Sequence, residues 1–131
     1  MHDALAQVIL RTMLLVMSVR IEAENLIDAV ARRPFGYVVT SSHNSEPHVR
    51  AVVFTAISGR LTARVGKQTA TNVERNGSVT LLWPPMEESN RLDEYDDYSV
   101  IADCVATCAD AGDSFTLSAT PLAAVWHRPA R

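Results

Sequence analysis

The chain has 131 residues, of which 47% are hydrophobic and 21% charged; that size and balance fit one globular domain and exclude wholesale disorder. Two cysteines are too few for a disulfide scaffold. A formal net charge of −3 argues against a general nucleic-acid binder, which needs basic excess to neutralise phosphates.

In chain order, Ala4 to Val19 is largely apolar. Leu5, Val8, Ile9, Thr12, Leu15 and Val16 recur at helical spacing, and Leu14 and Met17 widen the stripe. Arg11 interrupts the apolar run and no basic leader precedes it, so the segment reads as a buried or interface helix rather than a signal sequence or membrane span. A cytoplasmic, membrane-free protein is the expectation. A second helix is predicted from about Glu22 to Arg32, with Leu26, Ile27 and Val30 inward and Pro34 ending it.

After Pro34 the period changes to that of strands. Phe35 to Ser41, His48 to Ile57 and Leu61 to Val65 read as strands joined by the turn residues Ser42–Pro47 and Ser58–Arg60. A short helix follows over Thr69–Arg75, then a strand over Ser78–Trp83 that Pro84-Pro85 cuts off. Met86 to Asp97 carries six carboxylates against Arg91 and reads as a solvated, mobile loop. Tyr98–Cys108 and Ser114–Thr120 complete six strands, and the tail from Ala123 adds a short strand or cap. The pattern predicts a mainly β fold with flanking helices, a small barrel with antiparallel pairing. Helices occupy about 3–33 and the barrel about 35–131, in a single domain.

Three constellations could carry chemistry. Arg64-Val-Gly-Lys-Gln-Thr-Ala-Thr-Asn72 runs from a strand through a glycine into a helix. Helix N-termini present unpaired N–H groups and suit a phosphate, and Lys67, Gln68, Thr69 and Thr71 add donors. The alternative is an ordinary turn in which Thr69 caps the helix. Eleven of the twelve basic residues are arginine, and the lone lysine is Lys67, in this segment. Arg50 lies in an otherwise apolar strand, with His48, Val52, Phe54 and Ala56 on its face. It either meets an anion or reaches solvent past the strand. Cys104 and Cys108 share a strand face about 13 Å apart, too far for a mutual disulfide. With His43 and His48 they match no zinc module, and they read as buried thiols. His127 beside Trp126 is either a catalytic acid or base or, as is commoner for a lone histidine, a packing residue, and no nucleophile elbow, Walker loop or dinucleotide fingerprint is present.

The order Phe35-Gly-Tyr-Val-Val-Thr-Ser, Pro47-His-Val, Arg50-Ala-Val-Val-Phe, Gly59-Arg-Leu, Lys67-Gln-Thr-Ala-Thr-Asn72 and Val79-Thr-Leu-Leu resembles the pyridoxamine 5′-phosphate oxidase-like family of FMN-binding split barrels. The resemblance covers about Leu26 to Ala106. It implies a six-stranded antiparallel split β-barrel of Greek-key character that forms a homodimer with FMN, or a deazaflavin coenzyme, at the interface. It places the cofactor against Arg50, Val52, Val53, Arg64, Val65, Gly66, Lys67, Gln68, Thr69 and Asn72. It further implies a flavin-dependent oxidoreductase acting on a small molecule, with a deazaflavin-dependent reductase or a non-catalytic flavin-binding dimer as alternatives. Gln68 and Thr69 stand where many members carry an Arg-Lys pair, and Trp126-His-Arg-Pro does not reproduce the substrate signature of the oxidase itself.

Overall fold

The computed structural model describes residues 18–129. The strands are β1 (Ser18–Ile21), β2 (Gly36–Ser41), β3 (Pro47–Val52), β4 (Thr55–Ile57), β5 (Arg60–Val65), β6 (Ser78–Trp83), β7 (Ser99–Asp110) and β8 (Phe115–His127). The helices are α1 (Leu26–Val30) and α2 (Lys67–Arg75), with 3₁₀ turns at Ala23–Asn25 and Glu88–Asn90. All eight strands pair antiparallel in one sheet of order β3-β2-β6-β7-β8-β5-β4, with β1 also on β8.

The connectivity forces this sheet to curl. β3 and β4 lie at its opposite ends, yet only Val53 and Phe54 separate them. So short a link spans only about 10 Å, so the two edges must come close together. They do not pair with each other, which leaves a barrel open along one seam. Strand alternation fills its interior. Along β2, β6 and β7 every second residue is buried, giving a core around Leu26, Val38, Leu61, Leu81, Val100, Leu117 and Trp83, the last 1% exposed. Phe54, at the link, tilts against Trp83 with ring centroids 5.1 Å apart.

The split-barrel architecture agrees with the sequence expectation, but eight strands replace six. The expected strand His48–Ile57 is broken at Val53–Phe54, where the chain leaves one edge for the other. The last strand does not stop at Thr120 but runs to His127. Pro121, which cannot donate to a ladder, lies within it. It sits at a bulge, where Asp103 faces Ala123, Cys104 faces Pro121 and Leu122 is extra; bulges tolerate proline. The first half of β8 pairs with β5 and the second with β1. β1 holds Ser18 and Val19, so the end of the expected first helix is extended; the rest of that helix lies outside the described residues. The expected helix Glu22–Arg32 shrinks to a 3₁₀ turn and the single turn of α1.

Arg32 and Arg33 explain the order of the acidic loop. Arg33 Nη1 donates to the carbonyls of Pro84 (2.9 Å) and Tyr98 (2.6 Å), and Nη2 to that of Tyr95 (3.1 Å). Its guanidinium also lies 5.4 Å from the centroid of Trp126, on which Tyr95 stacks at 5.0 Å. Arg32 binds Asp96 at 2.6 Å and Asp93 at 3.0 Å. The second Asp96 oxygen accepts from the N–H groups of Leu92 (2.7 Å) and Asp93 (2.9 Å). Asp96 is only 3% exposed, and the Arg32 hydrogen bond, aided by these two N–H groups, holds its carboxyl well below the ordinary range. The 92–98 segment is therefore a folded lobe tied to the barrel, not the mobile loop that its charge suggested. Glu87, Glu88, Asp93 and Glu94 remain exposed on its rim.

Candidate functional site

The open seam holds a cavity of about 220 Å³ between β3, the end of β5 and the start of α2. Its walls are His48, Arg50, Ala51 and Val52 from β3, Arg64 and Val65 from β5, and Gly66, Gln68 and Thr69 at the helix entry. Seven of the ten residues expected from the sequence thus meet at one place: Arg50, Val52, Arg64, Val65, Gly66, Gln68 and Thr69. Val53, Lys67 and Asn72 lie outside the lining. Val53 is 68% exposed just past β3, and Lys67 is exposed in the first turn of α2. Asn72 is 1% exposed beneath the helix.

The helix entry excludes the reading in which Thr69 caps the helix. The N-cap is Gly66, extended at φ −84° and ψ 178°, and no side chain caps the helix. The first helical bond runs from Ala70 N–H to the Gly66 carbonyl at 3.1 Å, so the N–H groups just before Ala70 have no helical partner. Thr69 is not the cap; it is buried inside the first turn, 2% exposed. A Cβ built on Gly66 would meet nothing within 4 Å. Since its φ is ordinary, the backbone does not require glycine there.

The electrostatics favour an anion. Arg50 donates only to the carbonyl of Val49 beside it, at 2.8 Å. Among the described residues neither Arg50, Arg64 nor Lys67 is in an ion pair, and no carboxylate lines the cavity. By contrast, a larger depression of about 630 Å³ between β1, α1 and residues 93–96 has its arginines already committed, Arg20 to Glu22 and Arg32 to Asp93 and Asp96. Size therefore does not select it as an anion site.

Behind the cavity runs a line of polar contacts. Gln68 Nε2 donates to Asn72 Oδ1 at 2.9 Å, Asn72 Nδ2 donates to Thr40 Oγ1 at 3.0 Å, and Thr40 Oγ1 lies 3.5 Å from His48 Nδ1. This fixes α2 on β2 and gives Asn72 a place in the support of the site. His48 and Ala51 were missing from the sequence expectation. The alternation His48-x-Arg50-x-Val52 did place His48 on the correct face, but as a candidate metal ligand. Among the described residues no cluster of three metal-ligating side chains occurs. Cys104 is buried and Cys108 half-buried, both as free thiols. Burial, aided by Asp103, pushes the Cys104 thiol up to about 12, and burial also raises that of Cys108. No helix of the described residues is long and apolar enough to cross a membrane.

The architecture defines a class, the antiparallel split barrel with a short helix entering beside its open seam. No family model matches the sequence. An uncharacterized protein of Mycobacterium bovis and one of Mycobacterium tuberculosis are each 28% identical to the chain, over 85% of it and 82% of their own length. An F420 reductase structure aligns with a TM-score of 0.57 and 15% identity, over 74% of this chain and 94% of that one. A Listeria innocua structure whose name proposes a pyridoxamine 5′-phosphate oxidase aligns at 0.58 and 16%, over 79% and 96%. A heme binding protein from Mycobacterium smegmatis aligns at 0.61 and 14%, over 81% and 54%. At these identities the likeness is one of fold. The chain has the split-barrel fold of the pyridoxamine 5′-phosphate oxidase-like proteins, as the motif order implied.

Proposed function

We propose that the seam cavity holds the phosphate end of a flavin-type cofactor, FMN or a deazaflavin coenzyme, in an oxidoreductase acting on a small molecule. The observation that carries this reading is the uncapped start of α2, which faces a carboxylate-free cavity beside two unpaired arginines. The residues fit such a group. Backbone N–H groups after Gly66 would donate to phosphate oxygens, Arg50 and Arg64 would neutralise them, and Gly66 leaves the space they need. Lys67 adds charge at the rim, and Asn72 holds the helix in place through Thr40.

The flavin ring would supply the hydride or electron chemistry. This chain's part is to anchor, orient and cover it. Val52 and Val53 at the end of β3 offer an apolar step next to the phosphate cavity. At about 220 Å³ the cavity is smaller than the roughly 300–1,000 Å³ of whole-ligand sites, so one chain covers only the phosphate end. That supports a homodimer in which a second copy completes the ring site. Val49, Val53 and Ile57 are large apolar residues exposed on β3, on β4 and between them, and they suit such an interface.

Fluorescence titration of purified protein with FMN, the deazaflavin coenzyme and hemin tests the reading, together with light scattering for the dimer. Saturable binding of FMN or the deazaflavin by a dimer is expected. Binding of hemin alone, or of none of the three, would overturn it.

A further inference from the structure

A separate cavity of about 210 Å³ lies where α1 meets the link between β3 and β4. Seven apolar residues line it, among them Ile27 and Val30 of α1, Phe54, Leu61 and Trp83; the eighth residue is Arg33. Val52 stands in the wall of the seam cavity and Phe54, two residues on, in the wall of this one, and the two cavities share no residue.

Arg33 is 8% exposed and is in no ion pair among the described residues. The carbonyls of Pro84, Tyr95 and Tyr98 take three of its N–H hydrogens, but they carry no net charge. Burial pushes the guanidinium pKa down; Asp96 pulls it back up, and Arg32 opposes it in turn. Asp96 is itself spent on Arg32. A buried cation without a counter-ion of its own is costly. Its Nε–H is also unspent. Arg33 Nε has no partner and, unlike His48 Nε2 and Arg128 Nε, is not sealed from water. No other described cavity has Arg33 in its wall, so the little of the residue that stays accessible opens here.

We propose that this cavity binds a small monocarboxylate with an apolar, ring-sized body, the carboxylate accepting from Arg33 Nε–H and the body packing between α1, Phe54 and Trp83. An apolar cavity of about 150 Å³ is enough to hold benzene, so the volume suits one ring with its head group. A phosphate ion gains nothing from seven apolar wall residues, and a neutral ring leaves the cation unpaired. A ring that carries one carboxylate meets both walls. The site stands apart from the seam and does not depend on what binds there.

Benzoate is the probe, with benzamide and acetate as controls, in NMR titrations of the native protein followed at the Arg33 Nε–H and the Trp83 indole N–H. Benzoate should saturate and move both resonances. Benzamide, of the same shape without the charge, should bind about tenfold more weakly, and acetate, without the ring, should not saturate over the same range. Ala56 and Ala31 are exposed residues of the wall. Ala56→Phe fills the cavity from its rim and leaves the Arg33 bonds in place, so it should weaken benzoate at least about tenfold with little change in melting temperature. Ala31→Leu does the same from the opposite wall and serves should the first variant fail to fold.

Benzoate that moves the Arg50 and Arg64 resonances instead, is displaced by inorganic phosphate and binds both variants as it binds the native protein belongs to the seam, and overturns the proposal. Benzamide binding as tightly as benzoate overturns it too, as does the absence of saturable benzoate binding.

Discussion

Gly66→Ala separates a ligand role from a folding role. Gly66 sits at φ −84°, which any residue adopts, and a Cβ there would touch nothing within 4 Å. Alanine is a poorer N-cap than glycine, but it lowers the entropy of the unfolded chain; the two effects offset to within about 1 kcal/mol. The melting temperature should therefore move by only a few degrees, since a domain of this size shifts by about 3–5 °C per kcal/mol. Cofactor binding should respond differently. The added methyl occupies the space beside the free N–H groups of α2, so at least one charge-assisted hydrogen bond to the phosphate is lost. That is about 1.5–3 kcal/mol, or roughly 10- to 150-fold in Kd. Paired assays, thermal unfolding without ligand and fluorescence titration with FMN, measure the two quantities on one preparation. A variant that binds FMN as the native protein does would refute the placement of phosphate at the helix entry. One that unfolds far earlier would show that the glycine serves the fold.

Arg33→Met should be the most damaging surface-neighbouring change: three carbonyls lose their common donor, at a cost of about 3–5 kcal/mol, read as a lowered urea midpoint with an unchanged m-value. Asp96 has a depressed folded pKa, so it adds stability above the unfolded carboxylate value of about 4 and loses it as the pH falls further. Asp96→Asn should be less stable at neutral pH and show a shallower loss on acidification; an unchanged acid limb in pH-dependent unfolding would contradict this. Neither thiol is poised as a thiolate. A disulfide-exchange reagent should leave buried Cys104 unlabelled in the native protein, react slowly at half-buried Cys108, and reach both in denaturant; rapid native labelling of Cys104 would refute its burial.

How far the fold was legible depended on what each segment's neighbours do. β2, β6 and β7 alternate cleanly because one face of each is buried, and the period-2 signal survives in the sequence. The break between β3 and β4 left no such signal: Val53 and Phe54 are good strand residues, and only the closure of the barrel demands that the chain leave one edge there. Pro121 hid the second half of β8 because its tolerance depends on a bulge, which is set by the partner strand. The acidic loop was misjudged from its own charge, since its order comes from Arg32 and Arg33, more than fifty positions away. The helix-entry part of the site was more legible, being local: strand, glycine and helix start are contiguous. Arg50 could be seen as odd in its strand, but what it meets depends on the curl of the sheet. His48 could be placed on its strand face, but its contact with Thr40 depends on the neighbouring strand.

The most direct test of the anion cavity compares the affinity of the native protein for FMN and for riboflavin at low and at physiological salt. With helix N–H groups and two exposed arginines on the phosphate, FMN should bind at least about tenfold more tightly. That margin should shrink as salt screens Arg50 and Arg64, while riboflavin binding stays nearly constant. Equal affinity for the two ligands at both salt concentrations would contradict the account, because the phosphate would then be held by nothing in the seam.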